Sequence, residues 1–179
     1  SRRGAYFAYI GSGEFAVRLR VLGHESIAAG DSGLVRLHVM SAAVLPLLPG
    51  DRFVLRESGR DETVGGGEVL DVAPRLPASR AKPDRDVERV VEEHGWLAVD
   101  DLEALTGERR EATVGSWVVS TARVGEMQQA VRERVRAAGE LGLDTAVLDD
   151  RERAVLNSIS ADEGIVIDNG RARLRGTRD

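Results

Sequence analysis

Guanidinium is the chemical group this sequence supplies most freely. Of its 25 basic residues only Lys82 is lysine, and 24 are arginine. A planar guanidinium donates paired hydrogen bonds in a fork that matches phosphate oxygens. Two readings account for the excess: the codon bias of a genome rich in G and C, and phosphate recognition. Placement favours particular residues. Over residues 1–24, Arg2, Arg3, Arg18 and Arg20 stand against Glu14, so an electropositive patch is expected to start there. Near the other end, Arg171, Arg173 and Arg175 alternate along one run, which puts three guanidiniums on one strand face about 6–7 Å apart. That spacing approaches successive phosphates of a nucleic-acid strand. A competing reading pairs the three with neighbouring acids, such as Asp149, Asp150 or Glu152, worth about 0–1 kcal/mol each.

Other chemistries find little support. The chain has no Cys and three scattered His residues (His24, His38, His94), which excludes thiol catalysis and Cys-ligated zinc and leaves no compact imidazole site. Gly65-Gly66-Gly67 lacks the spacing and the Lys-Ser/Thr pair of a phosphate loop. It precedes an apolar run, as a strand glycine at a bulge or close backbone contact would. No nucleophile-elbow motif occurs. Asp100-Asp101 and Asp149-Asp150 sit at helix starts, where the macrodipole accounts for them. No catalytic residue, metal site or cofactor is therefore assigned. No run of about 18 apolar residues or signal segment is present, so a cytoplasmic chain with no membrane partner is expected.

The elements that must carry the arginines follow from periodicity. Residues 4–11, 15–22, 33–40 and the runs RFVLRES and TVGGGEVLDV are strand-like. Phe15, Val17, Leu19 and Val21 oppose Arg18 and Arg20, and Arg36 and His38 oppose Val35, Leu37 and Val39. Gly and Pro turns roughly every ten residues predict a β-barrel or sandwich of about six strands over residues 1–75. Residues 76–83 read as a Pro-rich linker. Charge changes across it: 11 basic and 9 acidic residues precede Pro83, and 14 basic and 21 acidic residues follow.

After the linker the apolar period becomes helical. Residues 84–121 predict a helix through Val87, Val90 and Val91 to His94-Gly95, a second over VDDLEALTG, a short basic third at 108–112 and the β-rich run TVGSWVVS. That is the order of a winged helix-turn-helix, with Trp96 and Trp117 as core anchors. Residues 122–179 repeat it. A helix over 123–138 carries Val124, Met127, Val131 and Val135, a capped helix follows in DDRERAVLNSI, and a hairpin turns at Asp168-Asn169-Gly170. The fold class is mixed: a six-stranded antiparallel β-barrel followed by one or two winged-helix units.

These residues resemble a known family. The run LPGDRFVLRESGRDETVGGGEVLDV, residues 48–72, is similar to the end of the third domain of translational GTPases of the elongation factor Tu type, through Arg56, Glu57, Gly59 and Arg60, then Thr63, Val64, Gly65 and Gly67. The opening RRGAYFAYIGSGEFAVRLRVLG and LPLLPGDRF resemble the selenocysteine-specific branch, in which winged-helix units follow the barrel. No phosphate loop, Asp-x-x-Gly or Asn-Lys-x-Asp motif occurs in the 179 residues. The resemblance thus implies a C-terminal portion whose GTP, Mg and GTPase domain belong to the parent protein. It also implies four winged-helix modules in bacterial members, of which about two fit here. Selenocysteinyl-tRNA, the ribosome and the mRNA selenocysteine-insertion hairpin are the implied partners, the hairpin being gripped by the last module. Arg2, Arg3, Arg56 and Arg60 become tRNA-contact candidates in the barrel, and Arg171, Arg173 and Arg175 in the helical part. The alternative from another class is a DNA-binding winged-helix regulator with a barrel for a ligand or partner. A third is a structural spacer.

Overall fold

Each alternating run of the first half forms a strand in the computed structural model, which describes residues 5–42, 45–60 and 62–175. The strands are β1 (Tyr6–Ile10), β2 (Gly13–Val21), β3 (Val35–Val39), β4 (Arg52–Glu57) and β5 (Glu62–Glu68). All pair antiparallel in the order β3-β2-β1-β4-β5. Period-two geometry sends Ala8, Val17, Phe53 and Leu55 to one buried face, with Phe15, Leu19, Leu37 and Val39 packed around them.

The expected six-stranded closed barrel is not what the described residues form: this sheet has five strands, with β3 and β5 at the open ends of the order. Residues 45–51 contain Pro46 and Pro49, which have no N–H to give a ladder, and the backbone there turns back on itself, Leu47 N–H to the Leu45 carbonyl and Asp51 N–H to the Leu48 carbonyl. The β2–β3 connection holds Gly23 and Gly30 at left-handed φ.

The glycine run has the structural role expected of it. The β4–β5 register shifts between Leu55 and Arg56, and a Cβ on Gly66 would stand 2.7 Å from the Phe53 carbonyl oxygen. The close backbone approach at Gly66 needs glycine, while the extra residue at the bulge is Val64.

Residues 1–89 with 104–108 make one compact unit, and 90–103 with 109–179 the other. In the first, Arg89 is a hub. It donates to Asp71 Oδ2 at 2.9 Å, to Asp84 Oδ1 at 2.8 Å and to the Asp84 carbonyl at 3.0 Å. The Arg89 bond to its carboxylate, helped by the Asp86 N–H, holds the Asp84 carboxyl below its ordinary pKa.

The helical half follows its period of 3.6. Helix α1 (Val87–His94) stops at Gly95 with φ +84°, and α2 (Val99–Thr106) at Gly107 with φ +74°. Between them runs β6 (Trp96–Ala98), paired with β7 (Trp117–Val119). The expected third helix at 108–112 does not form. Thr106 Oγ1 accepts the Glu108 N–H, and Arg109 is drawn back to Asp100 at 2.9 Å and Glu103 at 2.5 Å, which takes the segment out of helical register.

Beyond it come α3 (Thr121–Ala138), β8 (Leu143–Asp144), α4 (Asp150–Ser160), β9 (Ile165–Asp168) and β10 (Arg171–Leu174), the strands in the order β8-β10-β9. Asp149 and Glu152 form a reciprocal capping box at the start of α4. Asn169 and Gly170 take φ +46° and +75°, the turn that their types predict. One hydrophobic cluster joins Val114 and Val119 with Val131 and Val135 of α3, Val155, Leu156 and Ile159 of α4, and Ala172 of β10. Trp96 and Trp117 pack against it edge to face, centroids 6.3 Å apart.

Candidate nucleic-acid interface

Antiparallel register decides which cations of the first unit meet. Arg18 lies opposite His38 and Arg20 directly opposite Arg36, on the sheet face away from the buried residues. Phe7 is opposite Ala16 on one side and Arg56 on the other, so the same face carries aromatics among the guanidiniums. The Arg56 guanidinium lies 5.9 Å over the Tyr9 ring. Two guanidiniums facing each other across strands repel, and an anion between them relieves that. Arg36 directs one nitrogen to the Leu76 carbonyl at 2.7 Å. Arg60 is exposed in the 58–60 turn beyond β4. Arg2 and Arg3 lie outside the described residues.

In the second unit the three hairpin arginines divide by function. Arg171 donates to the carbonyls of Leu141 and Gly142 at 3.1 and 3.2 Å, which closes the chain segment after α3. Arg173 approaches Asp168 at 3.8 Å, with both side chains about half exposed. Arg175 follows β10 and is exposed. The partners proposed for these arginines are engaged elsewhere. Asp149 caps α4, Asp150 pairs with Arg153 at 2.7 Å, and Glu152 pairs with Arg134. Pairing with a neighbouring acid is thus seen for Arg173 and Asp168, whereas Asp149, Asp150 and Glu152 are taken by α4's own cap, by Arg153 and by Arg134 of α3.

The fold adds two cations that sequence spacing did not pick out. Arg132 and Arg136 project from α3 at i and i+4, on one helix face. They flank an open groove between α3 and the hairpin, about 720 Å³, floored by Val135, Val166 and Leu174 and rimmed by Arg136, Arg173 and Arg175, with Glu140 beside them. An adjoining pocket of about 410 Å³ holds Arg132 and Glu163. The i, i+4 spacing in RERVR was the available signal. What it lacked was the hairpin, more than 30 residues further along the chain, which α3 meets only in the fold.

Arg132 Nε donates to both Glu163 oxygens at 2.5 and 2.6 Å. Those hydrogen bonds hold the Glu163 carboxyl below its ordinary value of about 4.5, with the nearby charges of Arg132 and Arg136 adding to the effect and burial opposing it. A carboxyl with a depressed folded pKa contributes stability that is present above the ordinary pKa and is lost as pH falls through the folded one. Glu163→Gln is thus expected to flatten the acid limb of the unfolding midpoint below about pH 4.5. An acid limb unchanged from the parent protein would show that the pair contributes nothing.

Among the described residues no group of three or more His, Cys, Asp or Glu side chains is arranged to hold a metal ion, and no helix is long and apolar enough to cross a membrane. No protein-family profile matches the sequence. No curated protein matches it. Among solved structures the chain is similar to the crystal structure of a bacterial selenocysteine-specific elongation factor, EF-Sec, with a TM-score of 0.61 and 14% identity. The likeness covers 98% of this chain and 32% of that one, so this chain spans about a third of that protein's length. At that identity the two share a fold.

Proposed function

We propose that the chain is the RNA-binding C-terminal portion of a selenocysteine-specific elongation factor, with no catalytic step of its own. The observation that carries this reading is the fold likeness to EF-Sec across 98% of the chain. In this reading the five-stranded sheet belongs to an elongation-factor barrel that holds selenocysteinyl-tRNA. We read the order helix, strand, helix, hairpin over 121–174, with strands ordered β8-β10-β9, as a winged-helix unit. GTP and Mg would be held by a GTPase domain elsewhere in the whole factor. The ribosome and the mRNA hairpin would be its further partners, in the cytoplasm.

The cationic sheet face supports the reading. Arg20 opposite Arg36, with Arg18 and Arg56 on the same face, suits a phosphodiester backbone, which would be held without base readout. A DNA-reading regulator is less well served. Its recognition helix would be α4, whose N-terminus is already closed by the Asp149–Glu152 capping box and whose Arg153 is held by Asp150.

The test is binding of selenocysteinyl-tRNA to the full chain across a salt series. Binding whose logarithm falls linearly with log salt is expected, with the slope reduced by about 1.5–2 in an Arg18→Gln, Arg20→Gln variant. Absence of binding at low salt, or a slope that the variant leaves unchanged, would count against the tRNA assignment of this sheet.

A further inference from the structure

We propose that the groove between the C-terminal half of α3 and the β9–β10 hairpin is a second contact site for an RNA phosphate backbone, set apart from α4. The proposal rests on the RNA-binding reading above and adds to it a location and one cation, Arg136, beside Arg173 and Arg175. Among the described residues, Arg136 and Arg175 make no ion pair within 4 Å, and the single acid near Arg173, Asp168, stands at 3.8 Å with its side chain 57% exposed. Glu140 is the one carboxylate lining the groove, so its lining carries a net charge of about +2. The Arg132–Glu163 pair next to it is internally balanced. This is a local excess of positive charge within a half of the chain that is acidic as a whole.

Two features choose RNA over other anions. The groove's cations are all guanidiniums, and Arg173 and Arg175, two residues apart along an extended segment, lie about 6–7 Å apart, close to the step between successive phosphates. The floor of Val135, Val166 and Leu174 is apolar, and Leu174 is 47% exposed, so a sugar face can lie on it while the rim holds phosphates. The α4 side offers the opposite. Its acids Asp149, Asp150 and Glu152 are already served by the helix cap, Arg153 and Arg134. A winged-helix unit normally presents that helix to nucleic acid. Here the charge lies on the α3 and hairpin side instead.

The experiment titrates the full chain with a labelled stem-loop RNA between low and moderate salt. Four proteins are compared: the parent, an Arg136→Gln, Arg173→Gln, Arg175→Gln variant, a Glu140→Gln variant and the sheet variant Arg18→Gln, Arg20→Gln. Removing three phosphate contacts is expected to weaken binding by about ten-fold or more at low salt and to lower the salt slope by about 2–3. Glu140→Gln, which removes the opposing charge, is expected to tighten binding by about two- to three-fold. It also keeps the proposal testable if the triple variant folds poorly. If both groove variants match the parent in affinity and slope while the sheet variant weakens, the groove is refuted and the RNA reading stands. If the parent binds no RNA, both fall together. If a poly-glutamate peptide displaces the RNA charge for charge from the parent but not from the triple variant, the groove is a site for acidic protein and the RNA assignment is overturned.

Discussion

Shortening Leu156 to Ala is expected to lower the stability of the second unit by about 3 kcal/mol, within the usual range of about 2–5 for a buried leucine. Leu156 is 1% exposed at the middle of α4 and belongs to the cluster that includes Val131 and Val135 of α3, Leu148, Ile165 and Ala172 of β10. The side chain therefore joins both helices and the hairpin. Its loss leaves a void that none of them can fill without moving the others. Both tryptophans of the chain, Trp96 and Trp117, pack against this same cluster, so denaturant unfolding followed by indole fluorescence reports on it directly. A midpoint shift corresponding to less than about 1 kcal/mol would show that the cluster is loosely packed at this position.

The second large effect falls in the sheet. Gly66→Ala is expected to destabilise the first unit by about 1–3 kcal/mol, the range for overpacking, because the new methyl would meet the Phe53 carbonyl oxygen at 2.7 Å. That obstacle is backbone in a paired strand and cannot swing aside as a side-chain tip would. Gly65 is the internal control. A Cβ there meets nothing within 4 Å, so Gly65→Ala is expected to stay within about 0.5 kcal/mol of the parent. Thermal melts followed by circular dichroism separate the two cases. Equal effects at both positions would mean that strand propensity, and not the contact with Phe53, decides them.

Much of this architecture was legible in residue order because it is locally encoded. Alternation from Phe15 to Val21 placed β2, Gly95 and Gly107 marked the ends of α1 and α2, and Asp168-Asn169-Gly170 marked the hairpin turn. Each depends on neighbours within a few residues. The failures are non-local. Whether a sheet closes depends on its two end strands, and nothing in the residues of β3 or β5 announces whether they meet. The segment at 108–112 has a helical composition, but ion pairs from Arg109 to Asp100 and Glu103 bring it back against α2.

The candidate site divides along the same line. The alternation of Arg171, Arg173 and Arg175 was visible in sequence, yet it could not show that Arg171 is engaged by the Leu141 and Gly142 carbonyls. Nor could it show that Arg136, far back in the chain, joins Arg173 and Arg175 at one groove. Sequence order named the alternating set; tertiary contact removed one member and added another.

The strand order β3-β2-β1-β4-β5 has a consequence for how the sheet is assembled. Its central strand is the first one made and, with β3, the shortest at five residues, so β1 must keep one side unsatisfied until β4 is available about forty residues later. Until then the nascent sheet is a β1–β2–β3 meander with an open seam along β1. Once β4 arrives, β1 is, among the described strands, the one hydrogen-bonded to both pairs, β2–β3 and β4–β5, each marginal by itself in water. The backbone ladder between the two pairs therefore runs through the five residues Tyr6–Ile10, and a fault there would leave them joined by the side-chain cluster of Val17, Phe53 and Leu55 alone.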